Sequence, residues 1–295
     1  MKTVEVVDLH KSYGSVDAVR GVSFEIAEGE VFALLGPNGA GKTTIVEILE
    51  GFRRRTRGTV AVLGADPETG GRALRERIGI VLQKCGIDPF FSVNELVIAT
   101  GKSYPAPRPV AEVLELVGLS DKAGARVKTL SGGQQRRLDL ALALVGDPEL
   151  VFLDEPTTGF DPSARRASWD LIEELCRLGK TVLLTTHYMD EAQRLADRIV
   201  VIAQGRIVAE GTPETIGGRD HAATVIRFAL PPHTAIGDLP VRDATVDDGI
   251  VSISTAQPTH LLHELTAWAL ANGGELVGLA VQRPSLEDVY LELTR

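Results

Sequence analysis

Near the start of the chain, Val4, Val6 and Leu9 stand among polar residues, and Val22-Ser23-Phe24-Glu25-Ile26 alternates strictly. Period-two alternation predicts strands with one face in a core. Val31-Phe32-Ala33-Leu34-Leu35 differs: five apolar residues in a row, just before a glycine-rich turn. That is the pattern of a strand buried on both faces. Past Lys42, the residues Ile45, Ile48, Leu49 and Phe52 recur at helical spacing. The stretch reads strand, glycine loop, helix. Further buried strands are expected at 150–153 and 181–185. Leu195, residues 199–202 and residues 207–208 complete a strand-rich end. Between Asn94 and Val117 the spacing is helical, interrupted by Pro105, Pro107 and Pro109. Strands alternating with helices predict an α/β domain with a mostly parallel core sheet.

The pattern changes near Gly211-Thr212-Pro213 and Gly217-Gly218. A boundary there gives a first domain over residues 1–215 and a small α/β accessory domain over 216–295. In the second, strands are expected at 223–230, 250–255 and 276–282, and helices at 259–271 and 285–293. The last helix puts Leu286, Val289, Tyr290 and Leu293 on one face.

Composition narrows the function classes. The 295 residues carry a formal net charge of -9, and 44% are hydrophobic, enough for a sizeable core. Residues 221–295 hold four arginines, no lysine and nine acidic side chains. An acidic balance disfavours nucleic acid as a partner, because phosphate backbones attract basic patches. No apolar run reaches the ~18 residues of a membrane helix. The opening MKTVEVVDLH lacks the basic-then-apolar order of a secretory signal, so a cytosolic location is expected. Two distant cysteines, Cys85 and Cys176, suit a reducing compartment without a disulfide framework.

The glycine turn carries the first chemistry. Gly36-Pro37-Asn38-Gly39-Ala40-Gly41-Lys42-Thr43 has P-loop spacing, followed by Thr44. Glycines let backbone approach phosphate oxygens without side-chain clash. Successive N–H groups and the positive end of the following helix face the anion. Lys42 is placed to reach the β and γ phosphates, and the Thr43 hydroxyl to bind Mg²⁺.

A nucleotide–metal site also needs acids. Leu150-Val151-Phe152-Leu153-Asp154-Glu155 is an apolar strand ending in two of them. A strand beside the P-loop strand would bring Asp154 to the magnesium and leave Glu155 to polarise the attacking water. Alone, such a strand is often just one leaving the core. Gln83 and His187 follow apolar strands and are each candidates for the γ-phosphate, the metal or the attacking water. Taken singly, each is an ordinary loop residue.

Leu130-Ser131-Gly132-Gly133-Gln134 precedes a helical stretch at 136–144 and lies 20 residues before Asp154. In isolation it is a Gly-Gly turn. Between a P-loop and an Asp-Glu strand end, it resembles the signature of the ABC (ATP-binding cassette) ATPases, LSGGQ. The other parts occur in the same order over about residues 2–215. The resemblance implies that Tyr13 stacks on adenine, that Gln83 is the Q-loop residue, Asp161 the D-loop residue and His187 the switch histidine. Catalysis then falls to Glu155, His187 and Gln83. Nucleotide binding falls to Tyr13, Gly36 to Thr44, Ser131, Gly132, Gly133, Gln134 and Asp161, and Mg²⁺ binding to Thr43, Gln83 and Asp154. It implies a P-loop domain with a parallel core sheet, an antiparallel β subdomain and a helical subdomain at about 84–145. It also implies that two ATP molecules are sandwiched in a head-to-tail dimer, the signature of one chain closing on the γ-phosphate held by the other. One P-loop and one signature per chain imply pairing with a second ATP-binding subunit, itself or a close relative.

Residues 276–295, with Arg283-Pro284-Ser285-Leu286-Glu287-Asp288-Val289-Tyr290-Leu291-Glu292-Leu293, are similar to the C-terminal segment of daunorubicin-resistance-type cassettes. That likeness implies a polytopic ABC-2 type membrane subunit as partner, a place on the cytoplasmic face of the membrane, and export of drugs or lipids. Two departures stand out. Phe160 replaces the usual leucine of the D-loop, and the region between Gln83 and Leu130, where the membrane partner is contacted, is short and proline-rich. The alternatives are export of another cargo (ion, haem or polysaccharide) or a non-transport ATPase acting on ribosomes or DNA. The single cassette and acidic balance disfavour the last.

Overall fold

The computed structural model describes residues 1–81, 88–219, 223–231, 234–241, 243–282 and 285–293. The chain forms two compact units, Met1–Pro213 and Glu214–Arg295.

The first unit begins β1 (Lys2–Tyr13), β2 (Val16–Ala27), β3 (Val31–Leu35), α1 (Lys42–Leu49), β4 (Arg57–Val62), α2 (Gly71–Arg75) and β5 (Ile78–Val81). It continues α3 (Val93–Gly101), α4 (Val110–Leu116), α5 (Gly132–Leu144), β6 (Leu150–Asp154), α6 (Pro162–Arg177) and β7 (Thr181–Thr186). It ends α7 (Met189–Leu195), β8 (Arg198–Ala203) and β9 (Arg206–Gly211).

Two sheets result. β2-β1-β4 is antiparallel, and β5-β6-β7-β3-β8-β9 is parallel except for its β8–β9 edge. Every residue of β3 and β7 is buried, as an apolar run without alternation requires in a sheet covered on both faces. The sheets share one core. Phe24 of β2 stacks on Phe32 of β3 at 5.1 Å between centroids, and Ile45, Ile48 and Leu49 of α1 join that cluster. The expected mixture of a parallel core sheet, antiparallel strands and helices is present.

Helix starts follow side-chain caps. Ser92 and Glu95 form a capping box before α3, Ser131 and Gln134 another before α5, and Asp161 caps α6 with Pro162 at its first position. The prolines divide the region expected to be helical from Asn94 to Val117 into α3 and α4, because proline lacks the amide that would continue a helix. Leu195, grouped with strands in the sequence, closes helix α7 instead. It is an apolar anchor on the helix that leads into β8, and one residue carries no period.

In the second unit, β10 (Thr224–Ala229), β11 (Ala244–Asp247), β12 (Ile250–Thr255), α8 (Pro258–Ala271), β13 (Ala280–Gln282) and α9 (Leu286–Leu293) occur in that order. The antiparallel sheet runs β11-β12-β10-β13. Ile226, Phe228, Val251 and Ile253 pack with Leu265 and Ala269 of α8. The strand expected at 276–282 is shorter. Residues 276–279 turn instead, with Gly278 at a φ of +70°, and pairing begins at Ala280. Among the described residues, no helix is long and apolar enough to cross a membrane.

Candidate functional site

The P-loop joins β3 to α1, and its backbone leaves no room at two glycines. A Cβ on Gly36 would lie 2.3 Å from the Ile202 carbonyl oxygen. Gly41 has a φ of +107°, and a Cβ there would lie 2.6 Å from the Ala18 carbonyl oxygen. Pro37, Asn38, Gly39 and Thr43 are exposed, Thr44 is half-buried and Ala40 is buried. Lys42 is buried, and its Nζ donates to the carbonyls of Gly36 at 2.7 Å and Pro37 at 3.2 Å. The ammonium therefore lies inside the curl of its own loop. Burial pulls its pKa down, against the opposing charges of Glu155 and Asp154. Those two carboxylates and the loop lysine are thus within electrostatic reach of one another.

The strand carrying the acids does not neighbour the P-loop strand, as the sequence had suggested. β7 lies between them, pairing with β3 on one side and β6 on the other. It contributes in its own right: the Thr185 hydroxyl donates to Asp154 Oδ1 at 2.5 Å. The Glu155 amide donates to the Thr185 carbonyl at 3.1 Å, and lies 3.1 Å from its hydroxyl oxygen. Glu155 has a φ of +47°, a left-handed conformation that costs a non-glycine residue about a kcal/mol or more. Its Oε2 accepts from the Thr158 hydroxyl at 3.1 Å, and its Oε1 lies 3.3 Å from His187 Nδ1. That approach falls short of hydrogen-bond geometry, and Nδ1 has no hydrogen-bond partner among the described residues. His187 directly follows β7, so β6 and β7 deliver their end residues to one place.

The signature residues lie elsewhere. Ser131, Gly133, Gln134 and Asp161 line a cleft of about 340 Å³ with Arg137 and the start of α6, and no P-loop residue lines it. Ser131 Oγ accepts from the Gln134 amide at 3.3 Å, and Gln134 Oε1 accepts from the Ser131 amide at 3.0 Å. Asp161 Oδ1 accepts from the amides of Ser163 and Ala164. Tyr13 ends β1 and is 39% exposed, open to a stacking partner; Lys11 Nζ is 4.9 Å and Arg53 Cζ 5.2 Å from its ring centroid. Gln83 lies outside the described residues.

Beyond the motifs, two residues fasten this arrangement together and a third is buried beside it. Glu191 of α7 is fully buried and accepts from the Thr157 hydroxyl at 2.8 Å and Trp169 Nε1 at 3.1 Å. Burial raises its pKa despite hydrogen bonds from Thr186, Thr157 and Trp169. Arg136 of α5 donates to the carbonyl of Pro156 at 3.1 Å, fastening the signature helix to the segment after Asp154. Glu50, after α1, is buried, and its pKa is pushed up to about 8 by that burial and by the charges of Asp154 and Glu47. Only their isolated positions on helices mark them in the sequence, and that is no signal.

The donor set suits a hard cation. A threonine hydroxyl and an aspartate oxygen are magnesium ligands, and this cation retains waters and phosphate oxygens rather than needing a protein cage. Among the described residues, no group of three or more His, Cys, Asp or Glu could hold a metal by itself. Thr43 and Asp154 fit the role.

Residues 19–158 match the ABC transporter family, and residues 224–285 match a C-terminal domain of ABC transporter domain-containing proteins. The Nod factor export ATP-binding protein I of Paraburkholderia xenovorans is 40% identical over 302 residues, covering 99% of this chain and 96% of that protein. Its counterpart in Rhizobium meliloti is 39% identical, covering 99% and 88%. A solved ATP-binding cassette of an ABC transporter in its ADP conformation superposes with a TM-score of 0.66 at 26% identity, covering 72% of this chain and 92% of that one. A Clostridium perfringens subunit, part of the ABC transporter complex cbiONQ, gives 0.66 at 30% identity, covering 72% and 89%. At 39–40% identity over 99% of its length to those ATP-binding proteins, this chain belongs to the ABC transporter family as an ATP-binding, ATP-hydrolysing subunit.

Proposed function

We propose that the chain is the motor of an exporter, working as a head-to-tail dimer beneath a polytopic membrane subunit of the ABC-2 type. The observation that carries this is the separation of the signature cleft from the P-loop. No P-loop residue lines that cleft, so a second chain is the natural source of the phosphate that fills it. Ser131, Gly132 and Gly133 lie at the capped N-terminus of a 13-residue helix, where free amides attract an anion.

In this reading Tyr13 stacks on the adenine, the amides of Gly36 to Thr44 hold the phosphates, and Lys42 leaves its loop carbonyls for the β and γ phosphates. Thr43, Asp154 and Gln83 would hold Mg²⁺, which would supply neutralisation of charge on the phosphate oxygens. Glu155 orients the attacking water and takes its proton. His187, with Gln83 as the resemblance implies, serves the same water and γ-phosphate, and Asp161 serves the partner chain. ATP favours the closed dimer, and hydrolysis releases it. That differential is what drives a membrane subunit between two states.

The relatives named for Nod factor export support an export direction. The likeness of residues 276–295 to the C-terminal segment of daunorubicin-resistance-type cassettes supports that subfamily, a drug or lipid cargo and a position on the cytoplasmic face of the membrane. A tagged chain pulled from gently solubilised native membranes tests this. A co-purifying polytopic membrane protein is the expected result. Ribosomal proteins or DNA-repair factors in its place overturn the transport reading while leaving the ATPase intact.

A further inference from the structure

Tyr188, which no motif includes, stands between two parts of the machinery. Its ring centroid is 4.1 Å from that of His187, tilted by 39°. The guanidinium carbon of Arg165 lies 4.1 Å from the same Tyr188 ring, within cation–π range. Arg165 belongs to the first turn of α6, and its amide donates to the carbonyl of Asp161 at 3.0 Å. Its guanidinium also lies 3.4 Å from Asp190 Oδ2, two residues past Tyr188. The Tyr188 amide donates to the Thr186 hydroxyl at 3.0 Å, which fixes the backbone where the ring departs. Contacts therefore run without a break from Asp161 in the signature cleft, through Arg165 and Tyr188, to His187 and Glu155.

His187 needs such support. Its Nδ1 has no hydrogen-bond partner among the described residues, and it approaches Glu155 without hydrogen-bond geometry. A histidine ring is usually oriented by a hydrogen bond to its second nitrogen. Here aromatic packing is on hand for the same task, and the cation over Tyr188 fixes the packing partner. The start of α6 lines the cleft, so a phosphate or partner chain entering there meets the turn that bears Arg165.

We infer that Arg165 and Tyr188 are positioning residues, a stack that sets the His187 ring against Glu155 according to the state of the Asp161 end of α6. This rests on the catalytic reading of His187 and Glu155 given above.

The test is a set of double-mutant cycles on the full chain, measuring ATPase kcat and the KM for ATP. Tyr188→Ala and Arg165→Met each lower kcat about tenfold, the loss of one cation–π or aromatic contact at a catalytic group, with KM unchanged. Tyr188→Phe, which keeps the ring, restores most of the turnover. In a His187→Ala background neither substitution lowers kcat further, because the group they position is gone. A purely structural role gives the same fold loss in both backgrounds and overturns the inference, as does full kcat in Tyr188→Ala. If His187→Ala alone retains full turnover, the reading of His187 fails first and the inference fails with it. A second readout is independent of turnover. The His187 Cε1 proton carries a ring-current shift from Tyr188 in NMR spectra. That shift vanishes in Tyr188→Ala and changes in Arg165→Met. An unchanged shift in Arg165→Met overturns the clamp.

Discussion

Glu155 combines a left-handed backbone with a carboxylate that meets both Thr158 and His187. Strain of that kind persists where neighbours over-determine it, here through the two contacts of its amide with Thr185. Glu155→Gln keeps the shape and removes the proton acceptor. It is expected to lower turnover by at least about 10²-fold while ATP affinity is unchanged, measured by nucleotide titration beside the ATPase rate. Full steady-state activity in that variant refutes the assignment of the base. Lys42→Ala acts on the other half of the site. Its ammonium sits among loop carbonyls, so its loss is expected to weaken ATP binding itself; an unaltered dissociation constant refutes the phosphate role. At this scale the sequence was informative where chemistry demands residue types at contiguous spacing, as from Gly36 to Thr43. Glu191, Arg136 and Tyr188 gave no such sign, because Thr157, Pro156 and Arg165 lie 20 to 34 residues away from them and meet them only in the fold.

The elements carry their own consequences. α1 bears the P-loop at one end and Glu50 at the other, where burial beside the Asp154 and Glu47 charges raises the carboxyl from 4.5 to about 8. Between those values the folded protein holds a proton that the unfolded chain releases, so stability falls as pH rises through that window. Glu50→Gln removes the titration. Thermal unfolding at pH 9 should find the variant more stable than the parent by an amount of order a few kcal/mol, with the gap closing toward pH 5. A constant gap across that range contradicts the assignment. The capping box of α5 is the second element-level device: Ser131→Ala is expected to cost about 1 kcal/mol of stability in denaturant titration and to lower turnover as well, since the same amides face the cleft. Element patterns were read best where periodicity was long, as in β3 and α1. They are obscure where a lone apolar residue carries no period, as at Leu195, or where Gly278 turns the chain before Ala280. That β6 and β3 both end in site residues predicts that they are neighbours. The interposed β7 reflects long-range pairing order, which local pattern does not encode.

For the whole molecule, no P-loop residue lines the signature cleft, which is why the proposed mechanism calls for a second chain. The second unit has its own sheet and core, so its contribution can be tested by removing it. Truncation after Pro213 is expected to preserve ATP binding and to change either the oligomeric state or the ATPase rate, read by light scattering and phosphate release; no change in both rejects a role in dimer closure. The most direct test of the account is the mass of the Glu155→Gln variant in solution, measured by light scattering with and without saturating ATP and Mg²⁺. A monomer that becomes a dimer only with ATP, and fails to do so when Ser131→Arg blocks the signature cleft, is the predicted result. A monomer at saturating ATP, or a dimer indifferent to both nucleotide and Ser131, contradicts the shared two-site mechanism.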